Sequence, residues 1–321
     1  MAHRVAVLIP CHNEAVSIGD VVAGFRRVLP GATVYVYDNN STDDTAARAA
    51  EAGAVVRTER LQGKGNVVRR MFADVDADIY VMCDGDGTYE TAAAQRMIGT
   101  LVADGLDMVV CARDPDASAA YRPGHRAGNR TLTAVVGGLF GARFSDILSG
   151  YRAFSRRFVK SFPALASGFE IETELTIHAL ELKMPVGEVS APYAARPQGS
   201  RSKLSTWRDG LRIFATIVFL FKEVRPFKFF AAAFAALALI SLALAWPVIT
   251  TYLATGLVPR LPTAVLATGV MLLAFMALMS GIVLDTVSRG RREAKRLRYL
   301  SLASVAAHAE GFMEDRRSST G

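Results

Sequence analysis

From Phe229 to Pro259 the chain carries no charged residue for 31 positions, and from Leu261 to Leu284 it carries none for 24. A bilayer core is about 30 Å thick, so a helix crosses it with about 20 apolar residues. These runs predict two transmembrane helices, near 229–252 and 263–284, forming a hairpin over 227–286. A soluble core hairpin seldom needs runs of this length. Lys222, Arg225 and Lys228 precede the first run. Arg289, Arg291, Arg292, Lys295, Arg296 and Arg298 follow the second. The positive-inside rule then puts both flanks, both termini and everything before the hairpin in the cytoplasm. Trp207, Leu211, Phe214, Val218 and Phe221 form an apolar stripe, with Arg208 and Arg212 on another face. That pattern predicts an amphipathic helix over 206–226 lying in the membrane interface. Residues 287–321 read as a basic cytoplasmic tail.

The net charge of +7 suits either nucleic acid or an anionic membrane surface. The basic residues gather beside the apolar runs, which favours the lipid bilayer as partner and speaks against nucleic acid. A 51% hydrophobic composition agrees. Cys11, Cys83 and Cys111 fall in or at the ends of predicted strands, as small buried hydrophobes in a reducing compartment. Five scattered histidines suggest no zinc site. The chain enters a strand at Val5 with no signal-peptide pattern before it.

Residues 1–205 alternate short apolar runs with helical segments. Strands are expected at Val5–Pro10, Thr33–Tyr37, Ala54–Thr58, Ile79–Cys83, Asp107–Ala112 and Val186–Tyr193. Helices are expected at 17–29, 43–52, after Gln62, at 91–103 and at about 170–182. This order predicts an α/β domain with a mostly parallel, doubly wound sheet. Three strand ends carry polar clusters: Asn13 with Glu14, Asp38 with Asn39, and Asp84 with Asp86. In such a sheet they converge on one edge, where these folds bind ligands. Each cluster by itself is also ordinary turn chemistry. Asp84-Gly85-Asp86 pairs two hard carboxylates around a permissive glycine, a pattern able to hold Mg²⁺ or Mn²⁺ against a diphosphate. Gln62-Gly63-Lys64-Gly65 lacks P-loop spacing, and no Gly-X-Gly-X-X-Gly follows the first strand, so ATPase and dinucleotide readings fall away.

Ile9-Pro10-Cys11-His12-Asn13-Glu14, Tyr37-Asp38-Asn39-Asn40-Ser41-Thr42-Asp43, Gly63-Lys64-Gly65 and Asp84-Gly85-Asp86 together resemble the family-2 glycosyltransferases of the GT-A fold. Ser149-Gly150-Tyr151-Arg152, Gly168-Phe169-Glu170-Ile171-Glu172 and Arg196-Pro197-Gln198-Gly199-Ser200-Arg201-Ser202-Lys203 are similar to the dolichol-phosphate-mannose-synthase-like branch. The resemblance implies a Rossmann-like GT-A catalytic domain over 1–205. It implies transfer of one sugar, with inversion, from a nucleotide-sugar donor to a polyprenyl phosphate, making a lipid-linked donor for cell-envelope glycans or glycoconjugates. Pro10, Asn13, Glu14, Asp38 and Asn39 would then hold base and ribose. Lys64, Asp84, Gly85, Arg196 and Ser202 would surround the rest of the donor, with Asp84 and Asp86 on the metal. Ser149 and Arg152 would join the acceptor phosphate. The family's usual Asp-Asp-Gly-Ser is here Asp38-Asn39-Asn40-Ser41, a variant that favours a UDP donor over a GDP one. One extra residue before Lys203 leaves Ser200 and Ser202 both open as the motif's serine.

Two further readings come from spacing. If 125–140 is helical, Arg126 and Arg130 share a face and suit a phosphate, although the same spacing serves a solvated face. Glu170 and Glu174 share a face and could bond sugar hydroxyls, while Glu172 reads as a surface charge at a helix N-terminus and His178 as an ordinary helix residue. Arg196 and Lys203 are counter-charges for a diphosphate in a basic loop that could equally be a linker. A phosphomonoester has a second pKa of about 6, so its oxygen needs positioning rather than a strong base. A hydroxyl acceptor on a glycolipid or growing glycan would need one, with Glu170 or Asp86 as candidate. An inert membrane-anchored nucleotide-sugar-binding scaffold is the reading from another class. Small residues at Ala231–Ala233 and Gly281 permit helix packing in a homo-oligomer.

Overall fold

The computed structural model describes residues 3–114, 137, 144–165, 168, 170–194, 218–219 and 221–305. The chain divides into two compact units, residues 1–213 with 295–321, and residues 214–294.

The first unit is built on a seven-stranded sheet in the order β3-β2-β1-β4-β6-β5-β7. The strands are β1 Val5–Cys11, β2 Thr33–Asp38, β3 Val55–Thr58, β4 Ile79–Met82, β5 Met108–Arg113, β6 Arg152–Ser155 and β7 Val186–Ala191. Neighbours run parallel except β6, which is antiparallel to β4 and β5. Helices α1 Ile18–Val28, α2 Thr45–Glu51, α3 Lys64–Asp74, α4 Ala93–Ala103, α5 Arg156–Ser161 and α6 Ile171–Glu181 connect and cover them. A sheet covered on both faces needs strands apolar on both sides, and all four residues of β4 are buried. α1 shows the complementary pattern. Ile18, Val21, Val22 and Phe25 recur on one helical face and are buried in the core.

The predicted elements recur within one to three residues at most ends. β6 and α5 were not expected. Arg-Ala-Phe-Ser is too short and too polar to register as a strand by period. It is held by its neighbours, in register from Ile79↔Ser155 to Met82↔Arg152.

Residues 295–305 belong to this unit. Lys295 Nζ donates to Glu181 at 3.0 Å, Tyr299 Oη donates to Asp107 at 2.7 Å, and Val305 is buried in the sheet core. Asp107 is fully buried and also accepts from Ser155 Oγ at 2.6 Å and from both ends of the Arg157 fork.

The second unit contains α7, Pro226–Thr255, and most of α8, Leu261–Leu300. Both are long and apolar enough to cross a membrane. In their most apolar stretches 6% and 17% of residues are buried, whereas a soluble core helix would be mostly covered. Leu239, Trp246, Leu253, Val265, Leu272 and Met276 are exposed. Ser241 Oγ donates to the Ala267 carbonyl at 2.7 Å, and Gly281 lies against Phe230. The close approach expected at Gly281 therefore occurs within the hairpin. Most of the predicted interface helix lies outside the described residues.

Candidate active site

β2, β1 and β4 lie side by side and parallel, so their carboxyl ends open onto one edge. The loops after β1 and β2 are stitched together there. Asn13 and Asn40 adopt left-handed backbone, which asparagine tolerates better than most residues. The Asn13 N–H donates to Ser41 Oγ at 2.9 Å, and Asn13 Oδ1 accepts from the Thr42 N–H at 2.8 Å. The Glu14 N–H donates to Thr45 Oγ1 at 2.8 Å. Asp38 is buried, with one carboxylate oxygen accepting from the Ser41 N–H and the other, Oδ1, without a hydrogen-bond partner.

Asn39 differs from its expected place against a nucleotide. Its Nδ2 donates to the carbonyls of Glu59 and Leu61, both at 2.8 Å, and its Oδ1 accepts from the Gly63 N–H at 2.8 Å. A carboxylate could not make the two donations, which explains the amide here. Ser17 stands at the N-cap position of α1 but makes no side-chain cap bond. Its hydroxyl donates to the Gly85 carbonyl at 2.7 Å and pins the Asp84-Gly85-Asp86 turn to the start of α1. A methyl on Gly85 would lie 2.5 Å from Cys11 Sγ, so the turn requires glycine.

Asp84 leaves β4 next to Lys64, the first residue of α3. The Lys64 ammonium bonds Asp84 and Glu172 together. Burial opposes its charge, but the two carboxylates outweigh burial and hold the ammonium's pKa above its usual value. Glu172 is buried, and its Oε2 has no hydrogen-bond partner. The expectation of a surface charge at Glu172 is thus corrected: α6 buries Ile171 through Thr173 and Leu175 through Ala179, leaving no solvent face there. Lys64, expected beside the donor, sits with its ammonium on Asp84 and Glu172. Asp86 is 4% exposed and accepts from Thr88 Oγ1 at 2.6 Å and from the Thr88 N–H at 3.2 Å.

Ser149 and Arg152, expected on an acceptor phosphate, lie inside the framework. Arg152 is fully buried. Its guanidinium donates to the carbonyls of Ser149 at 2.9 Å and Ile147 at 2.5 Å and to Thr176 Oγ1 at 2.8 Å. Burial lowers its pKa to about 10. Ser149 Oγ donates to the Cys111 carbonyl at 2.6 Å. Both are committed to backbone carbonyls, Arg152 to those of the segment before β6 and Ser149 to one of β5. Between them Gly150 passes against Asp84.

Glu170 stands just before α6, and its Oε1 accepts from the Gly168 N–H at 3.2 Å. Glu174 accepts from the Leu165 N–H at 3.0 Å. His178, read as ordinary, is buried between Phe158 and Phe162 with Ser161 Oγ 3.1 Å from Nε2. The three cysteines are buried, as expected, and none is in a disulfide. Arg126, Arg130, Arg196, Ser202 and Lys203 lie outside the described residues.

The donor set suits a hard divalent cation. Asp84 and Asp86 offer carboxylates from one turn, and with Glu172 they outnumber the Lys64 ammonium by two negative charges. Among the described residues no group of three or more His, Cys, Asp and Glu is arranged to hold a metal by itself. A cation there would complete its shell with substrate phosphate oxygens and water, as Mg²⁺ commonly does.

The family model described as "Glycosyl transferase family 2" matches residues 6–161. Glycosyltransferase AglJ of Haloferax volcanii is 34% identical over 303 residues, covering 92% of this chain and 98% of its own. Dolichyl-phosphate hexose transferase of the same organism is 28% identical over 220 residues, covering 68% and 95%. Among solved structures, glucosyl-3-phosphoglycerate synthase from Mycobacterium tuberculosis, in complex with Mn²⁺, UDP-glucose and phosphoglyceric acid, shares the fold. Its TM-score is 0.56 at 24% identity, covering 68% of this chain and 79% of that one.

Proposed function

The chain belongs to glycosyl transferase family 2, and on that premise we propose that it moves one sugar from a UDP-sugar to the phosphate of a polyprenyl phosphate at the cytoplasmic face of a membrane. One observation carries this reading: the donor-type site on the sheet edge shares a chain with two helices fit to span a bilayer. A polyprenyl phosphate keeps its tail in the bilayer and its phosphate at the surface, where a membrane-anchored enzyme meets it. A relative named for dolichyl phosphate supports the acceptor, and a neighbour of the same fold with UDP-glucose and Mn²⁺ is in keeping with donor and metal.

In this reading the lipid phosphate oxygen attacks the anomeric carbon from the side opposite the leaving group. A new carbon–oxygen bond forms as the bond to the diphosphate breaks, the configuration inverts, and the nucleoside diphosphate departs. No covalent sugar–enzyme intermediate forms. Asp84 and Asp86 would hold Mg²⁺ or Mn²⁺, which neutralises the departing diphosphate. Asp38 and the stitched loops after β1 and β2 would seat the nucleoside. Arg126 and Arg130 would take the lipid phosphate, and Arg196 and Lys203 the diphosphate. A cytoplasmic catalytic domain over 1–205, an interface helix over 206–226, a spanning hairpin over 227–286 and a basic tail complete the proposed organisation.

The test is purified full-length protein with polyprenyl phosphate and a panel of radiolabelled UDP- and GDP-sugars, with and without EDTA. Label entering an acid-labile lipid from a UDP-sugar, lost with EDTA and in Asp86→Ala, is the expected result. Donor hydrolysis without lipid labelling would overturn the acceptor. Transfer from GDP-sugars alone would overturn the donor. No consumption of any donor would favour a scaffold.

A further inference from the structure

We propose that Lys64 is a built-in counter-ion for Asp84, that a divalent cation displaces it, and that Glu172 receives it at that moment. The proposal rests on the metal reading above and assigns Lys64 and Glu172 as positioning residues for that metal.

The geometry argues it in three steps. First, one ammonium bridges two carboxylates in a buried setting, with side-chain exposures of 10% for Lys64, 29% for Asp84 and 6% for Glu172. A buried ammonium must keep an anionic partner at all times. Second, a dication on Asp84 and an ammonium on the same carboxylate repel each other at close range. Metal and Lys64 therefore compete for Asp84. Third, Glu172 Oε2 is buried and without a hydrogen-bond partner, so Glu172 has capacity to hold the lysine by itself. Lys64 is the first residue of α3 and Glu172 the second of α6, so their backbones are fixed. The flexible lysine stem is the part that shifts. Glu172 then acts on the metal only through Lys64. It makes cation uptake at Asp84 affordable by giving the displaced charge a partner.

This predicts opposite signs for two neighbouring substitutions. In Glu172→Gln the displaced lysine would face a neutral amide, so cation affinity falls, roughly ten- to hundredfold. In Lys64→Met the competitor is gone, so affinity rises, by roughly tenfold. The double variant K64M/E172Q has neither competitor nor stranded charge, so removing Lys64 rescues the loss caused by Glu172→Gln. If both residues only supported the fold, each substitution would lower affinity and the double variant would lower it further.

The experiment titrates Mn²⁺ into full-length protein in detergent, with UDP or GDP present at saturation, and follows free Mn²⁺ by electron paramagnetic resonance. Circular dichroism checks each variant's fold. Weaker binding in Glu172→Gln, restored in the double variant, is expected. If Lys64→Met alone does not fold, the comparison of E172Q with the double variant still decides. Unchanged affinity in Glu172→Gln, or a further loss in the double variant, would overturn the exchange and leave the metal reading standing. No Mn²⁺ uptake by the unmodified protein would overturn the metal reading, and the exchange with it.

Discussion

Gly150 lies so close to Asp84 that a methyl group on its Cα would stand 2.3 Å from Asp84 Oδ2. Backbone at this position forms one wall of the carboxylate's seat. Gly150→Ala must therefore push Asp84 aside or bend the turn before β6. Displacements of about 1 Å at a reacting centre cost on the order of a hundredfold in rate. We expect a loss of that size in sugar transfer, with circular dichroism and thermal unfolding close to those of the unmodified protein. Full activity in Gly150→Ala would show that Asp84 has slack the geometry denies it.

Chelation offers a reversible probe of the same turn. A metal at a departing diphosphate contributes several kcal/mol, so EDTA should cut transfer by about a hundredfold or more. Added Mn²⁺ or Mg²⁺ should restore it in the unmodified protein and fail to do so in Asp86→Ala. Transfer that persists in EDTA would remove the metal from the reading.

Arg152 gives a stability prediction where the motif suggests a binding one. Arg152→Met strands the carbonyls of Ile147 and Ser149 inside the core. Each unsatisfied buried group costs about 1–3 kcal/mol, so a loss of about 3 kcal/mol is expected in denaturant unfolding. At a temperature where the variant stays folded, its KM for the lipid acceptor should match that of the unmodified protein. A raised acceptor KM with unchanged stability would return Arg152 to the phosphate.

His178 makes stability depend on pH. Burial holds its imidazole neutral and pushes its pKa down to about 3, with Lys295 adding to the effect. An unfolded chain protonates histidine near the ordinary value of about 6.5. The folded value is the lower one, so the unfolded state binds the extra proton between these limits. The stability is full above about pH 6.5 and falls as pH drops towards 3, by at most about 1.4 kcal/mol per unit. Denaturant unfolding at pH 7 and pH 5 should show this slope, and His178→Gln should flatten it relative to the unmodified protein. Equal slopes in the two proteins would assign the acid sensitivity to other groups.

Tyr299→Phe removes one hydrogen bond to the buried Asp107 carboxylate. A bond to a charged group contributes about 1.5–3 kcal/mol, and Arg157 and Ser155 remain as donors, so the lower figure is expected. Asp107→Asn should cost more, because it leaves Arg157 without its partner. Unfolding midpoints of the two variants would rank them, and equal stability throughout would mean the contact is idle.

Much of this was legible in the residues. Apolar runs ending in polar clusters place β1, β2 and β4 and the edge they share, because strands covered on both faces must be apolar and their carboxyl ends must turn. The uncharged runs place α7 and α8 because nothing but length and composition is needed to span lipid. Less legible were contacts that depend on what lies opposite. Arg152 reads as a phosphate-binding cation until β6 is seen inserted antiparallel between β4 and β5, where the carbonyls of Ile147 and Ser149 take its guanidinium. Glu172 reads as a helix-end charge until α6 proves buried nearly all round. The amide of Asn39 looked like a loss of charge beside a nucleotide, and its reason is the loop from Glu59 to Gly63, distant in sequence. Gly150 carried a signal that could have been found: a glycine held between a committed serine and a committed arginine marks a close approach of backbone to something.

Tyr299 reaches Asp107 across 192 residues of sequence, and Val305 enters the same sheet core. A ribosome makes this chain in one direction. By the time Tyr299 exists, the strands it fastens and both apolar helices have already been synthesised. The catalytic unit therefore waits, unlatched at β5, until the hairpin has left the ribosome. A fragment cut before Pro226 would carry every carboxylate of the candidate site and still lack its final clasp. Completion of the enzyme and synthesis of its two long apolar helices are tied to one clock.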